Sequence, residues 1–194
     1  MKSAEEVDQD FSGGRYEKAP PHPKETTMDD DTIAKCVFSA AEEAFAAMLG
    51  LHLMPGEPKI EKQEDGVGSE RVVALIGLAG CYNGTGIMSC SPALACRLSS
   101  KMLAEDLPVI NSEVLGAMGE ISNIIFGHVK NMLEKQFGPL ALSIPTIVFG
   151  RNFRTASIGE RCVTVTVKVE EDNLNLCMCV SRRPSHSQHD SAQP

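Results

Sequence analysis

Positive charge is in short supply in this chain of 194 residues. Eighteen Lys and Arg stand against 26 Asp and Glu, a formal net charge of −8. That balance argues against a general nucleic-acid binder, which needs a basic face to displace phosphate counterions. It argues equally against docking on an anionic membrane surface. Long apolar runs are also missing: no stretch reaches the roughly 18 residues that a bilayer span requires. The N-terminal run MKSAEEVDQDFSGG is acidic and has no apolar signal-peptide core, so a cytoplasmic location is expected. Several catalytic signatures are absent: GxSxG, a Walker loop, HExxH and a second carboxylate at glycosidase-like spacing. No CxxC pair occurs among the seven cysteines, and their number is odd. They are expected to be unpaired, buried, apolar packing residues, with Cys177 and Cys179 on one face of a strand.

What is present fits about one domain. Residues 1–30 carry four basic and eight acidic side chains and no apolar period, and 181–194 is a Ser/Pro/His/Gln-rich run. Both are expected to be disordered tails around a folded unit at 31–180. Residues 31–50 place Ile33, Val37, Phe38, Ala41, Phe45, Met48 and Leu49 on one side at helical spacing. Asp30 or Asp31 is the expected cap and Gly50 the expected stop. An extended segment at 59–62 and a turn at Asp65-Gly66 follow, then a buried strand at 71–79. Tyr82-Asn83-Gly84-Thr85 is a hairpin signal before a return strand at 86–90. Ser91-Pro92 starts a second helix, and a long third helix spans about 112–136, stopped by Gly138-Pro139. A strand at 140–149 follows, with Pro145 implying an edge, a bulge or a strand start. After a loop at 151–160 comes a hairpin of 162–170 and 174–180 about a turn at Glu171-Asp172-Asn173. The pattern is an α/β (α+β) domain. It has a pseudo-two-fold repeat of a helix plus three strands, about six mostly antiparallel strands and two long helices beside the sheet.

The third helix carries the polar chemistry. With about 100° per residue and Glu120 set at 0°, Leu115, Met118, Ile121, Ile125, Phe126, Val129, Met132 and Leu133 fall between about 100° and 240°. Opposite them, Glu113, Gly116, Glu120, Asn123, Gly127, Asn131 and Glu134 lie within about 60° of Glu120. Glu120 and Asn123, three apart, are surface neighbours. Each glycine inside a helix costs about 1 kcal/mol relative to alanine. Gly116 and Gly127 bracket the pair and clear side-chain bulk, which lets another surface approach closely. An Asn amide orients a water without acting as a base, and a Glu pairs with a partner's cation. An ordinary solvated helix face accounts for the same stripe. His128 sits at its edge, near 80°, with no carboxylate four residues away.

The run GEISNIIFG (119–127) resembles the signature helix of the CheX/CheC/FliY family of chemotaxis phosphatases. The family motif is E-x-x-N and then, about twenty residues on, a proline. Here these are Glu120, Asn123 and Pro145 within SIPTIVFG. The segment VVALIGLAGCYNGTGIMSCSPALACRLSSKML is similar to the family's strand–hairpin–helix segment, and the likeness extends over about 31–180. Family members with two sites carry the motif on both long helices. This chain resembles the CheX branch in carrying it once, since the first helix offers Ser39, Glu43 and Ala46 at the matching places. At Gly116 the family usually has Asp or Ser, so that side chain is missing.

The resemblance implies hydrolysis of the aspartyl-phosphate of a CheY-like receiver domain. Asn123 would place the water and Glu120 would pair with a receiver lysine. Glu113, Gly116, Gly127 and Asn131 would line the contact. It implies Mg²⁺ on the receiver, no cofactor of the chain's own, and a homodimer. The alternatives are a non-catalytic receiver-binding or assembly module, which the glycine at 116 favours, and a purely structural dimer.

Overall fold

Asp29 opens the first helix. Its carboxylate accepts the Thr32 N–H at 2.6 Å, and α1 runs over Asp30–Leu49. That bond holds the Asp29 carboxyl below its ordinary value. The expected caps, Asp30 and Asp31, instead occupy the first turn, where their charge complements the helix dipole. Gly50 ends α1 in the left-handed conformation, at φ 59°. The computed structural model describes residues 28–59, 70–151, 159 and 161–182. Most of both expected tails, the Asp65-Gly66 turn and most of the 151–160 loop lie outside the described residues. Met28, inside the expected N-terminal tail, is buried against the core.

The remaining elements are β1 (Met54–Lys59), β2 (Arg71–Gly80), β3 (Tyr82–Cys90), α2 (Pro92–Leu103), α3 (Ser112–Phe137), β4 (Leu140–Leu142), β5 (Thr146–Gly150), β6 (Arg161–Val169) and β7 (Asp172–Arg182). Ser91 and Asn111 cap α2 and α3 by accepting the Leu94 and Val114 N–H groups. No helix of the described residues is long and apolar enough to cross a membrane.

Three expectations shift by a few residues. The first strand starts at Met54 and reaches Lys59, the first residue of the segment expected at 59–62, whose other residues lie outside the described ones. The first hairpin turns at Cys81 rather than within Tyr82–Thr85. Gly80 adopts φ 147°, and a Cβ there would lie 2.3 Å from the Pro139 carbonyl oxygen. Tyr82–Thr85 are therefore strand residues, Gly84 paired with Leu78. The second hairpin turns at Glu170-Glu171, because Asp172 already pairs with Val169. Glu170 takes the positive φ, 57°. Arg97 of α2 reaches the turn, ion-paired with Asp172 and with Glu170.

All strand pairs are antiparallel. The order is β1-β6-β7-β3-β2, with β4 and β5 sharing the far edge of β2. Exchange β1 for β4–β5, β6 for β2 and β7 for β3, and the same order results. The expected two-fold pattern is present, as seven strands rather than six because the 140–149 segment is broken. Each half lends its first strand to the edge of the other half.

Alternation sorts the sheet residues onto two faces. Val72, Ala74, Ile76, Leu78, Met88, Val163, Val165, Val167, Leu174, Leu176 and Met178 join the main core with the buried sides of the helices. Val73, Ile87, Cys177 and Cys179 form a smaller cluster on the opposite face. Cys162 and Cys179 are directly opposite in the β6–β7 ladder and are joined by a disulfide, Cα atoms 4.0 Å apart. The expectation of seven unpaired cysteines fails at this pair. Cross-strand register brings the two sulfurs together, and no spacing rule in the sequence reports register. Cys177 is free and buried, on the same face, its sulfur 3.7 Å from that of Cys179.

Candidate functional site

α3 is seated on the sheet by Val114, Ala117, Met118, Ile121, Ile125, Phe126, Val129 and Leu133, all buried. Leu115 and Met132, expected in the core, are half-buried at its margin. Phe126 fills the space over Gly86, where a Cβ would stand 2.6 Å from its ring carbons. Gly119 faces β5: a Cβ there would touch the Ile147 side chain at 3.5 Å. Ser122 is buried and donates to the Gly119 carbonyl at 2.7 Å.

That seating leaves the polar stripe outward. Glu113, Gly116, Glu120, Asn123 and Asn131 are exposed, and Gly127 is half-buried. Among the described residues, neither Glu120 nor Asn123 has a hydrogen-bond or ion-pair partner, so both side chains are free to engage another molecule. Added Cβ atoms at Gly116 and Gly127 would meet nothing within 4 Å. The fold itself thus places no demand for glycine at either position.

The other stripe residues are tied into the fold to different degrees. Glu134 accepts the Leu140 N–H at 2.8 Å and pairs with Lys130 at 2.9 Å. The backbone bond first, and then Lys130, hold its carboxyl below the ordinary value. Glu134 is therefore a clip between α3 and β4. Asn131 accepts from Lys130 at 3.2 Å, and Glu113 accepts from Asn111 at 3.4 Å.

Two features depend on partners distant in sequence. His128 Nδ1 lies 3.5 Å from Glu43 Oε2, across the α1–α3 contact. The nitrogen is buried and the geometry makes no hydrogen bond. The carboxylate comes from another helix, so spacing within α3 could not find it. On the first helix, Ser39, Glu43 and Ala46 are exposed. The second feature is the break between β4 and β5. Ser143 N–H donates to the Gly77 carbonyl, its hydroxyl accepts the Gly77 N–H at 2.9 Å, and the same hydroxyl donates to the Ile144 carbonyl at 2.8 Å. Pro145, expected to mark an edge, a bulge or a strand start, sits in this break, directly before β5. Among the described residues, no group of three or more His, Cys, Asp or Glu is placed to hold a metal ion.

A family model described as chemotaxis phosphatase CheX matches residues 72–168, half of the chain. The chain belongs to the CheX family. The matched span contains Glu120, Asn123 and Pro145. The CheY-P phosphatase CheX of Thermotoga maritima is 26% identical over 145 residues, 74% of this chain and 92% of that protein. The crystal structure of chemotaxis protein CheX from Vibrio vulnificus superposes with a TM-score of 0.69 at 24% identity, over 77% of this chain and 99% of that one. CheX in the CheX–CheY–BeF3–Mg²⁺ complex from Borrelia burgdorferi superposes at 0.65 and 18% identity, over 76% and 97%. These likenesses show that the CheX fold is shared.

Proposed function

We propose that this CheX-family chain hydrolyses the aspartyl-phosphate of a CheY-like receiver domain. The observation that carries the reading is the Glu120–Asn123 pair. The two side chains sit one turn apart on α3, exposed and unpartnered, on a stripe cleared by Gly116 and Gly127. The Thermotoga relative, named a CheY-P phosphatase, and the Borrelia CheX–CheY complex support the choice of substrate.

In this reading α3 docks on the receiver's active-site face. The Asn123 amide holds a water in line with phosphorus. The water oxygen attacks, the bond from phosphorus to the aspartyl oxygen breaks, and a carboxylate and inorganic phosphate leave. Asn is neutral, so it contributes position rather than basicity, and positioning is a large share of phosphoryl-transfer catalysis. Glu120 pairs with the receiver's lysine and fixes the register. Glu113, Gly116, Gly127 and Asn131 line the contact. The Mg²⁺ belongs to the receiver, as part of the substrate. The folded unit acts as a homodimer in the cytoplasm.

The test is phosphate release from a CheY-like receiver charged with acetyl phosphate. The wild type accelerates release beyond the receiver's own rate. Asn123→Ala lowers kcat on the order of a hundredfold and still binds. Glu120→Ala weakens binding and turnover together. Wild-type release no faster than receiver autodephosphorylation sinks the reading. The open space at Gly116, where the family usually has Asp or Ser, favours the second reading, a receiver-binding or assembly module without chemistry. Binding without turnover by the wild type selects it.

A further inference from the structure

Among the described residues, five large apolar side chains are exposed: Met54, Leu103, Val109, Ile144 and Phe149. Single exposed apolar residues are ordinary. Ile144 and Phe149 differ because both lie along the β4–β5 edge, which runs beside the α3 stripe. Gly119 stands against Ile147, opposite Ala74, and Glu134 stands against Leu140, opposite Gly80. The helix covers about 22 Å between those points and the strand about 20 Å, so the two run side by side. Ile144 lies about 8 Å from the level of Ala74, within a turn of Asn123. Phe149, opposite Val72, lies about 7 Å the other way, level with Leu115 and Gly116. Asn123 is about 40° around the helix from Gly119, on the flank that faces this edge.

Ile144 is 87% exposed, yet its backbone is held. The Ser143 hydroxyl fixes the break by accepting from Gly77 and donating to the Ile144 carbonyl. A break that only guarded an open edge against stray pairing would carry a charged or polar residue at its tip. This one presents an isoleucine on a fixed backbone.

We propose that Ile144 and Phe149 are the apolar anchors of the receiver-docking surface and set affinity and receiver choice, a step that rests on the receiver reading above. The occupant is the phosphorylated receiver, because the two side chains flank Asn123 and Glu120 along one continuous surface. Each anchor loses its water when the receiver seats, while the stripe handles the phosphoryl group.

Two measurements separate this proposal from the phosphatase reading. The first is steady-state hydrolysis of phosphorylated receiver by the wild type, Ile144→Ser, Phe149→Ser and the far-edge control Met54→Ser. The second is binding of receiver activated with beryllofluoride and Mg²⁺. The expected result is a KM raised on the order of tenfold by Ile144→Ser, an equal loss of binding, and no change with Met54→Ser. Asn123→Ala shows the opposite split, a fall in kcat with binding kept. If the wild type turns over and Ile144→Ser matches it in KM and binding, the docking proposal is overturned and the phosphatase reading stands. If the wild type binds without turnover, the phosphatase reading fails and the binding series alone decides the anchors. If it neither binds nor turns over, both fall. If Ile144→Ser changes oligomer mass by light scattering but not receiver binding, the edge serves a second copy of this chain, and the proposal is again overturned.

Discussion

Glycine plays two opposite parts around α3. At Gly86 it is required, because a Cβ would collide with the Phe126 ring and with Ile76. At Gly116 and Gly127 the space is open. Gly116→Ala and Gly127→Ala should therefore each raise stability by about 1 kcal/mol through helix propensity, read as higher urea midpoints. Gly86→Ala should lower the midpoint. A fall with Gly116→Ala would mean that the space is not open. Gly116→Ser adds a hydroxyl where the family resemblance implies Asp or Ser, and faster phosphate release with it would mark the glycine as a catalytic deficit. Gly127→Leu should obstruct receiver binding while leaving the fold intact.

Breaks and clips decide how the elements meet. Ser143 is the partner of the Gly77 N–H across the β4–β5 break, so Ser143→Ala should cost about 1 kcal/mol in thermal or urea unfolding. Glu134 joins α3 to β4, and the Leu140 N–H, then Lys130, hold its carboxyl below the ordinary glutamate value. The folded chain binds that proton less readily than the unfolded chain. The resulting stabilisation is complete above the unfolded value and is lost as pH falls through the lower folded one. Asp29 contributes with the same sign. Denaturant midpoints should fall as pH drops below the ordinary carboxylate range, and Glu134→Gln should flatten part of that slope. A slope unchanged by Glu134→Gln would remove the clip from the account. Helices were legible to within a residue or two because apolar spacing and caps such as Ser91 and Gly50 are local signals. Both hairpin turns were misplaced by a few positions. The turn at Glu170-Glu171 carries no glycine, and Asn83-Gly84, a strong turn dipeptide, lies inside β3. Gly84 is needed there for another reason: a Cβ would stand 2.1 Å from the Cys179 carbonyl oxygen. The polar stripe was legible for the same local reason as the helix. The β4–β5 anchors were not, since only pairing with β2 brings that edge alongside α3.

For the molecule as a whole, the cysteines offer a direct check. Unfolded without reductant, the chain should titrate five thiols, and after reduction seven. In the native state Cys81 should react first, being half-buried while the other four free thiols are buried. Cys90 should be the slowest, since burial first of all pushes its thiol up to about 12. Seven reactive thiols without reductant would remove the Cys162–Cys179 link. The exchanged edge strands have a further consequence. Among the described residues, β1 finds its neighbour only in β6, and β2 finds its outer neighbours only in β4 and β5. During synthesis, the first half of the chain therefore leaves the ribosome with both β1 and the outer edge of β2 unpaired. Cut between α2 and α3, the two pieces should each stay unfolded alone and regain structure only when mixed.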